Sequence, residues 1–290
     1  MRVNQRVFRP LAMAHLNQEF EMASPQRISD RPHQAHLPPE LIDAIFVQFR
    51  TEKKTLAACS LVCRAWLPCA RRYQFATMSL RFTALQPSHF PELLRSSIIA
   101  HVCQLGVVGD LGHECLDKYL PQLTGFTHVK GLHLSCVPWY LLATKTQLAF
   151  FNNFANITWL SIRRSFFYTV TFATFAEFIC AFPSLEKIHI QGSWGGPFPL
   201  SRPTLCLPCN LWSLELECNP EDVLTWLLSF EKMPALRTVC LRNIWKAHAT
   251  LIGRFLRALG SSLESFWWLT VDNSGMSVFQ FQILLLKPLS

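Results

Sequence analysis

Charge is scarce in this 290-residue chain: only 16% of its residues are Asp, Glu, Lys or Arg, while 50% are apolar. That balance excludes a disordered polymer and predicts extensive packed cores. Any block of five or more basic residues is also missing. The net charge of +8 is therefore spread over a mildly basic surface, and no nucleic-acid partner is expected. No apolar run reaches the roughly 20 uninterrupted residues of a spanning helix. The most apolar window, SFFYTVTFATFAEFICAFPSL from Ser165 to Leu185, is interrupted by Glu177 and Pro183. It reads as a strand exit, a loop and a buried helix, so no membrane partner is expected. Residues 1–30 lack the apolar stretch of a secretory leader. Phosphate-binding loops, paired catalytic carboxylates and a serine-nucleophile elbow are absent as well. The chain is not expected to be an enzyme, and neither catalytic residues nor a cofactor are assigned.

Cysteine, by contrast, is plentiful. The count is eleven, an odd number at irregular spacings, mostly inside apolar runs such as TLAACSLVC. Reduced thiols acting as small buried hydrophobes fit this pattern and predict a reducing compartment, cytoplasmic or nuclear. Cys59, Cys63 and Cys69 are expected in a helical core. Cys206-x-x-Cys209 is half a zinc knuckle without its second pair. Cys218 and His189 do not complete the spacing, so no metal site is assigned. His113-Glu114-Cys115 is read as a helix surface, since adjacent helical positions do not face each other. Trp139, Trp159, Trp226 and Trp245 lie in apolar runs and are expected in the core.

A pattern apolar-x-x-apolar-x-apolar recurs along the chain. It appears as FATMSL at Phe75, VCQLGV at Val102, VKGLHL at Val129, ITWLSI at Ile157, LEKIHI at Leu185, LWSLEL at Leu211, LRTVCL at Leu236 and LESFWW at Leu263. The offsets are 27, 27, 28, 28, 26, 25 and 27 residues. The alternation closing each hexamer is that of a strand with one buried face. Helical segments lie between hexamers. SHFPELLRSSIIAHV offers Ser88 as N-cap and Leu93, Leu94, Ile98 and Ile99 as its stripe. NPEDVLTWLLSFEKMP offers Asn219 as N-cap, Pro220 in the first turn, and a buried face of Val223, Leu224, Leu227 and Leu228. HATLIGRFLRALG ends on Gly260. Strand, loop and helix at this period are the length class of leucine-rich repeats, whose units must stack to bury their faces. The repeats are divergent, lacking the asparagine expected after each strand. Gln191–Asn210, rich in proline and glycine and including the turn at Trp194, reads as a long loop. The apolar ending FQILLLKPLS stands where a repeat array is expected to close with a polar cap.

Upstream of the first hexamer, Leu41, Ile45 and Phe49 form an i, i+4, i+8 stripe after Leu37-Pro38-Pro39-Glu40. RTEKK breaks the run. Leu56, Cys59, Leu61, Val62, Trp66 and Phe75 resume it, with Pro68 bending or restarting the helix. Two or three short helices with more apolar surface than they can hide imply a partner. Leu37-Pro-x-Glu-Leu41-x-x-x-Ile45, then Leu56-x-x-Cys59-Ser60-Leu61-Val62-Cys63-x-x-Trp66 and Ala70-Arg71, resemble an F-box. The variant is similar to that of fungal F-box proteins, where divergent leucine-rich repeats often follow the box. The resemblance implies docking on a Skp-type adaptor and, through it, a cullin, within an SCF-class ubiquitin ligase whose protein substrate the repeats select. It implies adaptor-binding roles for Leu37, Pro38, Leu41, Ile45, Leu61, Val62 and Trp66, divided between the box's core and its interface. Arg64 and Arg71 are expected at the rim. A repeat-built scaffold that transfers no ubiquitin is the alternative.

The expected organisation is α/β. A disordered extension over residues 1–36 precedes a short helical F-box module over 37–75. An irregular leucine-rich-repeat solenoid of parallel strands, with helices and loops outside, follows over 76–290. The residue between the last two apolar positions of each hexamer points away from the core. This aligns His133, Ser161, His189, Glu215, Cys240 and Trp267, with Arg163, Gln191, Glu217 and Arg242 just beyond, as the expected substrate face. Its mixed charge favours a protein over a polyanion.

Overall fold

The computed structural model describes residues 37–82, 90–109, 113–163, 172–192, 205–271 and 277–284, those beyond 269 through their backbone alone. The chain divides into two units, residues 1–38 and 39–290. Of the first, Leu37 and Pro38 are described, and both are exposed. The extension before Leu37, Ser88 and the loop around Trp194 lie outside the described residues.

The second unit begins with three short helices, α1 (Pro39–Gln48), α2 (Lys53–Cys59) and α3 (Trp66–Phe75). Pro39 opens α1, where its missing N–H costs nothing, and Glu40 sits favourably in the positive first turn. Pro68 lies in the first turn of α3 and neither bends nor interrupts it. The chain passes from α3 directly into β1 (Thr77–Phe82). It continues through β2 (Gln104–Gly109), β3 (Gly131–Ser135), β4 (Trp159–Arg163), β5 (Lys187–Gln191), β6 (Ser213–Leu216), β7 (Thr238–Ile244) and β8 (Ser265–Val271). Every one of these strands starts at the third residue of its hexamer. The eight are parallel and lie in chain order within one sheet. A ninth strand, β9 (Ser277–Leu284), adds antiparallel to β8 and has no hexamer of its own. The apolar ending FQILLLKPLS, which stands where a polar cap is expected, contributes its first four residues to this strand.

A shared backbone device repeats at each step. The carbonyl of the second hexamer residue accepts two successive N–H groups of the next unit. Ala76, Cys103, Lys130, Thr158, Glu186, Trp212 and Arg237 all do so, at 2.8–3.1 Å. The register carries through unchanged, so Leu105, Leu132, Leu160, Ile188, Leu214 and Val239 form one buried ladder. Val107, Leu134, Ile162, Ile190, Leu216 and Leu241 form a second. Full burial of each such side chain contributes roughly 1.5–3 kcal/mol.

Helices α4 (Phe90–Arg95), α5 (His113–Tyr119), α6 (Thr144–Phe154), α7 (Phe172–Cys180), α8 (Glu221–Leu228) and α9 (Ala249–Leu259) lie between strands. The single helix expected over residues 88–102 is broken: Ser96 accepts from the Ile98 N–H at 3.2 Å and starts a separate 3-10 turn. Asn219 Oδ1 accepts from the Glu221 N–H at 3.1 Å, the bond expected of a helix cap, two residues before α8 begins. Val223, Leu224, Leu227 and, in addition, Trp226 are buried there, whereas Leu228 is half-buried. Gly260 ends α9 with φ +55°, a conformation that side chains resist. The helix layer is unusually aromatic. Trp139 meets Phe150 and Phe178 at ring distances of 5.3 and 4.7 Å, and Phe178 meets Phe182 at 5.3 Å.

Two expectations about burial are corrected. Trp139 and Trp226 are core residues and Trp159 is half-buried, but Trp245 is 51% exposed, because it follows β7 where the chain turns outward. All eleven cysteines are free, yet Cys63, Cys103, Cys136, Cys206 and Cys209 are exposed rather than packed. Burial pushes the Cys180 and Cys218 thiols up to about 12, which removes them as nucleophiles near neutral pH. Among the described residues no helix is long and apolar enough to cross a membrane.

Candidate functional site

The helical module has a core of its own. Ile42, Phe46, Leu56 and Ala70 are buried, and Phe49, Cys59, Trp66, Cys69 and Tyr73 pack against them. Phe46 meets Trp66 edge to face at 5.5 Å. Lys53, opening α2, donates from Nζ to the carbonyls of Tyr73 and Gln74 at 3.1 and 2.6 Å, neutralising the last turn of α3.

The inward stripe of α1 is Ile42 and Phe46, one position on from the expected Leu41 and Ile45. Both stripes are apolar at i, i+4 spacing, so the periodicity suits either; packing against Leu56 and Trp66 selects the second. Leu41 and Ile45 remain 52% and 39% exposed. Leu61 and Val62, in the turn after α2, are 86% and 64% exposed. Trp66 alone of the expected interface set in this unit joins the core. Arg64 and Arg71 are exposed, as is Cys63, which was expected inside. Of nine large hydrophobic residues exposed among the described residues, four belong to the stretch Pro39–Phe75. Such clustering marks surfaces that something else covers.

The second site is on the sheet face opposite the two apolar ladders. Register places His133, Ser161, His189, Glu215, Cys240 and Trp267 side by side on successive strands. They are not ordinary solvent-facing residues. Ser161 is fully buried between two histidine rings and within hydrogen-bonding distance of both, and His189, between Ser161 and Glu215, is 7% exposed. His133 Nδ1 and His189 Nδ1 lie 3.0 and 3.1 Å from Ser161 Oγ. One hydroxyl proton serves two neutral rings. If Ser161 donates to one Nδ1 and accepts from the other, the two histidines hold opposite tautomers. Burial, with Arg163 and then His189 adding to it, lowers His133 below the ordinary histidine value. Burial lowers His189 as well, outweighing the opposing pull of Glu215 and Glu217.

Beyond His189 the row becomes ionic. Arg242 donates from its two terminal nitrogens to Glu215 at 2.8 Å and Glu217 at 3.0 Å. His189 Nε2 stands 3.7 Å from Glu217 Oε1, too far for a hydrogen bond, and has no partner. A bulge after Arg242, with Asn243 at φ 61°, shifts the β7–β8 register here. Arg163 and Gln191 close their strands on the same face, the first exposed and the second half-buried. Trp267 turns its indole N–H to Ser265 Oγ at 2.7 Å and joins neither group.

Ser161, His189 and Glu217 evoke a serine, a base and an acid, but the chemistry fails. A fully buried Oγ cannot reach an acyl carbon, and the imidazole presents Nδ1, not Nε2, to the serine. What the sequence reading missed is the grouping of His189, Glu215 and Glu217, whose donor atoms lie within 4.8 Å of one another. They are up to 28 residues apart and become neighbours only through sheet register.

Residues 34–75 match the model of the F-box-like family. No curated protein and no solved structure matches the chain. F-box domains in general bind a Skp-type adaptor and are not themselves enzymes.

Proposed function

We propose that the chain is the substrate-recognition subunit of an SCF-class ubiquitin ligase, docking a Skp-type adaptor and, through it, a cullin. The observation that carries this reading is an F-box-like match over a helical module that turns apolar side chains outward from a helix and a turn. Leu41, Ile45, Leu61 and Val62 are exposed while Ile42, Phe46 and Leu56 fill the core. Exposed leucines around a small rigid core suit a desolvated interface. Trp66 supports that face from within, through Phe46. Leu37 and Pro38 are assigned to the adaptor by the motif alone.

The strand–helix units are read as a divergent leucine-rich-repeat solenoid of the kind that follows the box in fungal proteins. The near-constant period and the shared-carbonyl step support this. Its open face, from His133 through Ser161, Arg163, His189, Gln191, Glu215, Glu217 and Arg242 to Trp267, is assigned to a protein substrate. The chain performs no catalysis. Eleven free cysteines suit the cytoplasm or nucleus.

The test is affinity purification of the intact chain beside a deletion of residues 37–75. The intact chain is expected to bring down a Skp-type adaptor and a cullin; the deletion is expected to lose both. Adaptor without cullin would point to the scaffold alternative. Reversing Glu215 and Glu217 to Lys is expected to leave the adaptor bound and change the other partners. An unchanged partner list would move the reader to the segment 191–210.

A further inference from the structure

The buried, unpartnered Nε2 of His189 faces a charged group that a structural role does not require. Its side chain is 9% exposed, and no atom lies within hydrogen-bonding reach of that nitrogen. Leaving such an atom dry and unpaired is costly in a folded protein. Meanwhile Glu215, in β6, and Glu217, just past its end, stand two residues apart on one face, where two carboxylates repel unless a cation lies between them. Arg242 fills that role here, reaching both carboxylates at 2.8 and 3.0 Å from a side chain that is 45% exposed.

We propose that His189 Nε2, Glu215 and Glu217 form a binding site for a divalent transition cation, manganese or zinc, which enters as the Arg242 guanidinium swings out. One imidazole nitrogen and two carboxylates are a suitable donor set for either ion. With Arg242 withdrawn the three ligands carry two negative charges, which a dication neutralises. The donor atoms, within 4.8 Å of one another, must close by about 1 Å to bind at 2.0–2.2 Å, a movement within reach of glutamate side chains. The row behind the site is already arranged to support it. If the Nδ1–H of His189 donates to Ser161 Oγ, and Ser161 donates to His133 Nδ1, the lone pair of His189 Nε2 points outward. A ligating histidine anchored through its other nitrogen is the usual outer-shell arrangement. Three protein ligands leave at least one position open for water or for a donor from a bound protein. The site does not depend on the adaptor reading and stands or falls separately from it.

The experiment uses the full chain, stripped with a chelator under reducing conditions and titrated with Mn²⁺, the free ion being followed by its paramagnetic resonance signal. Manganese is chosen because the eleven cysteines compete poorly for it. One equivalent is expected to bind, and Zn²⁺ is expected to displace it. Glu217→Gln, which preserves shape, and His189→Ala are each expected to weaken binding at least tenfold; Ser161→Ala is expected to weaken it about 10–100-fold, the usual effect of removing a group that orients a ligand. Arg242→Gln is expected to tighten it, because the competing cation is gone. Circular dichroism of each variant checks folding, and Glu217→Gln decides the matter if His189→Ala unfolds. Absence of saturable binding, equal binding by Glu217→Gln, or weaker binding by Arg242→Gln would each overturn the site.

Discussion

The helical module and the sheet treat apolar surface in opposite ways. Over Leu37–Phe75 four buried side chains hold three helices, and Leu41, Ile45, Leu61 and Val62 are left outside. Across β1–β8 the apolar ladders are covered by neighbouring strands and helices, and the opposite face carries histidine, serine, glutamate and arginine, bonded to one another. A unit too small to cover its own helices is completed by a partner. A unit that propagates its core strand by strand can reserve one face for polar groups. The two regions are therefore expected to read different partners by different physics: burial at the box, and hydrogen bonds and charge along the sheet.

The largest effect is expected in the sheet's aromatic layer. Phe182 is fully buried and packs on Phe151 and Phe178. Phe182→Ala should cost about 3–5 kcal/mol of stability, read from denaturant unfolding. A loss under 1 kcal/mol would mean that the layer is far looser than drawn. A smaller loss is expected at Gly260, where φ +55° admits a side chain only with strain. Gly260→Ala should cost about 1–3 kcal/mol by the same measurement, with adaptor binding unchanged. The smallest effect is expected within the box. Arg72 and Asp43 pair at 3.5 Å in solvent, so Arg72→Ala should change stability by less than about 1 kcal/mol.

Much of the sheet was legible because a strand's signature is local. Alternation at a steady period located all eight parallel strands, each starting at the third hexamer residue. β9 was not legible, since it pairs antiparallel and stands outside the period. The face of α1 was half legible: Leu41, Ile42, Ile45 and Phe46 are all apolar, and only the packing of Leu56 and Trp66 decides which pair turns inward. The polar row was legible as positions but not as a network. His189 reads as one more outward residue until β4 and β6 place Ser161 and Glu215 beside it. The recurring Phe126, Phe154 and Phe182, each three residues before a hexamer and each buried, went unread although a second 28-residue spacing was there to be seen.

The central claim is that the outward face of the box holds the adaptor while contributing little to the fold. Leu41 allows a clean test. It is the third residue of α1 and 52% exposed, so an aspartate there suits the helix's positive end. The measurement is the equilibrium affinity of purified Leu41→Asp for a purified Skp-type adaptor, beside the unaltered chain and with thermal unfolding of both. The account predicts a loss of about 2 kcal/mol or more in binding, with stability changed by less than about 0.5 kcal/mol. Undiminished affinity in a variant that remains folded would contradict it.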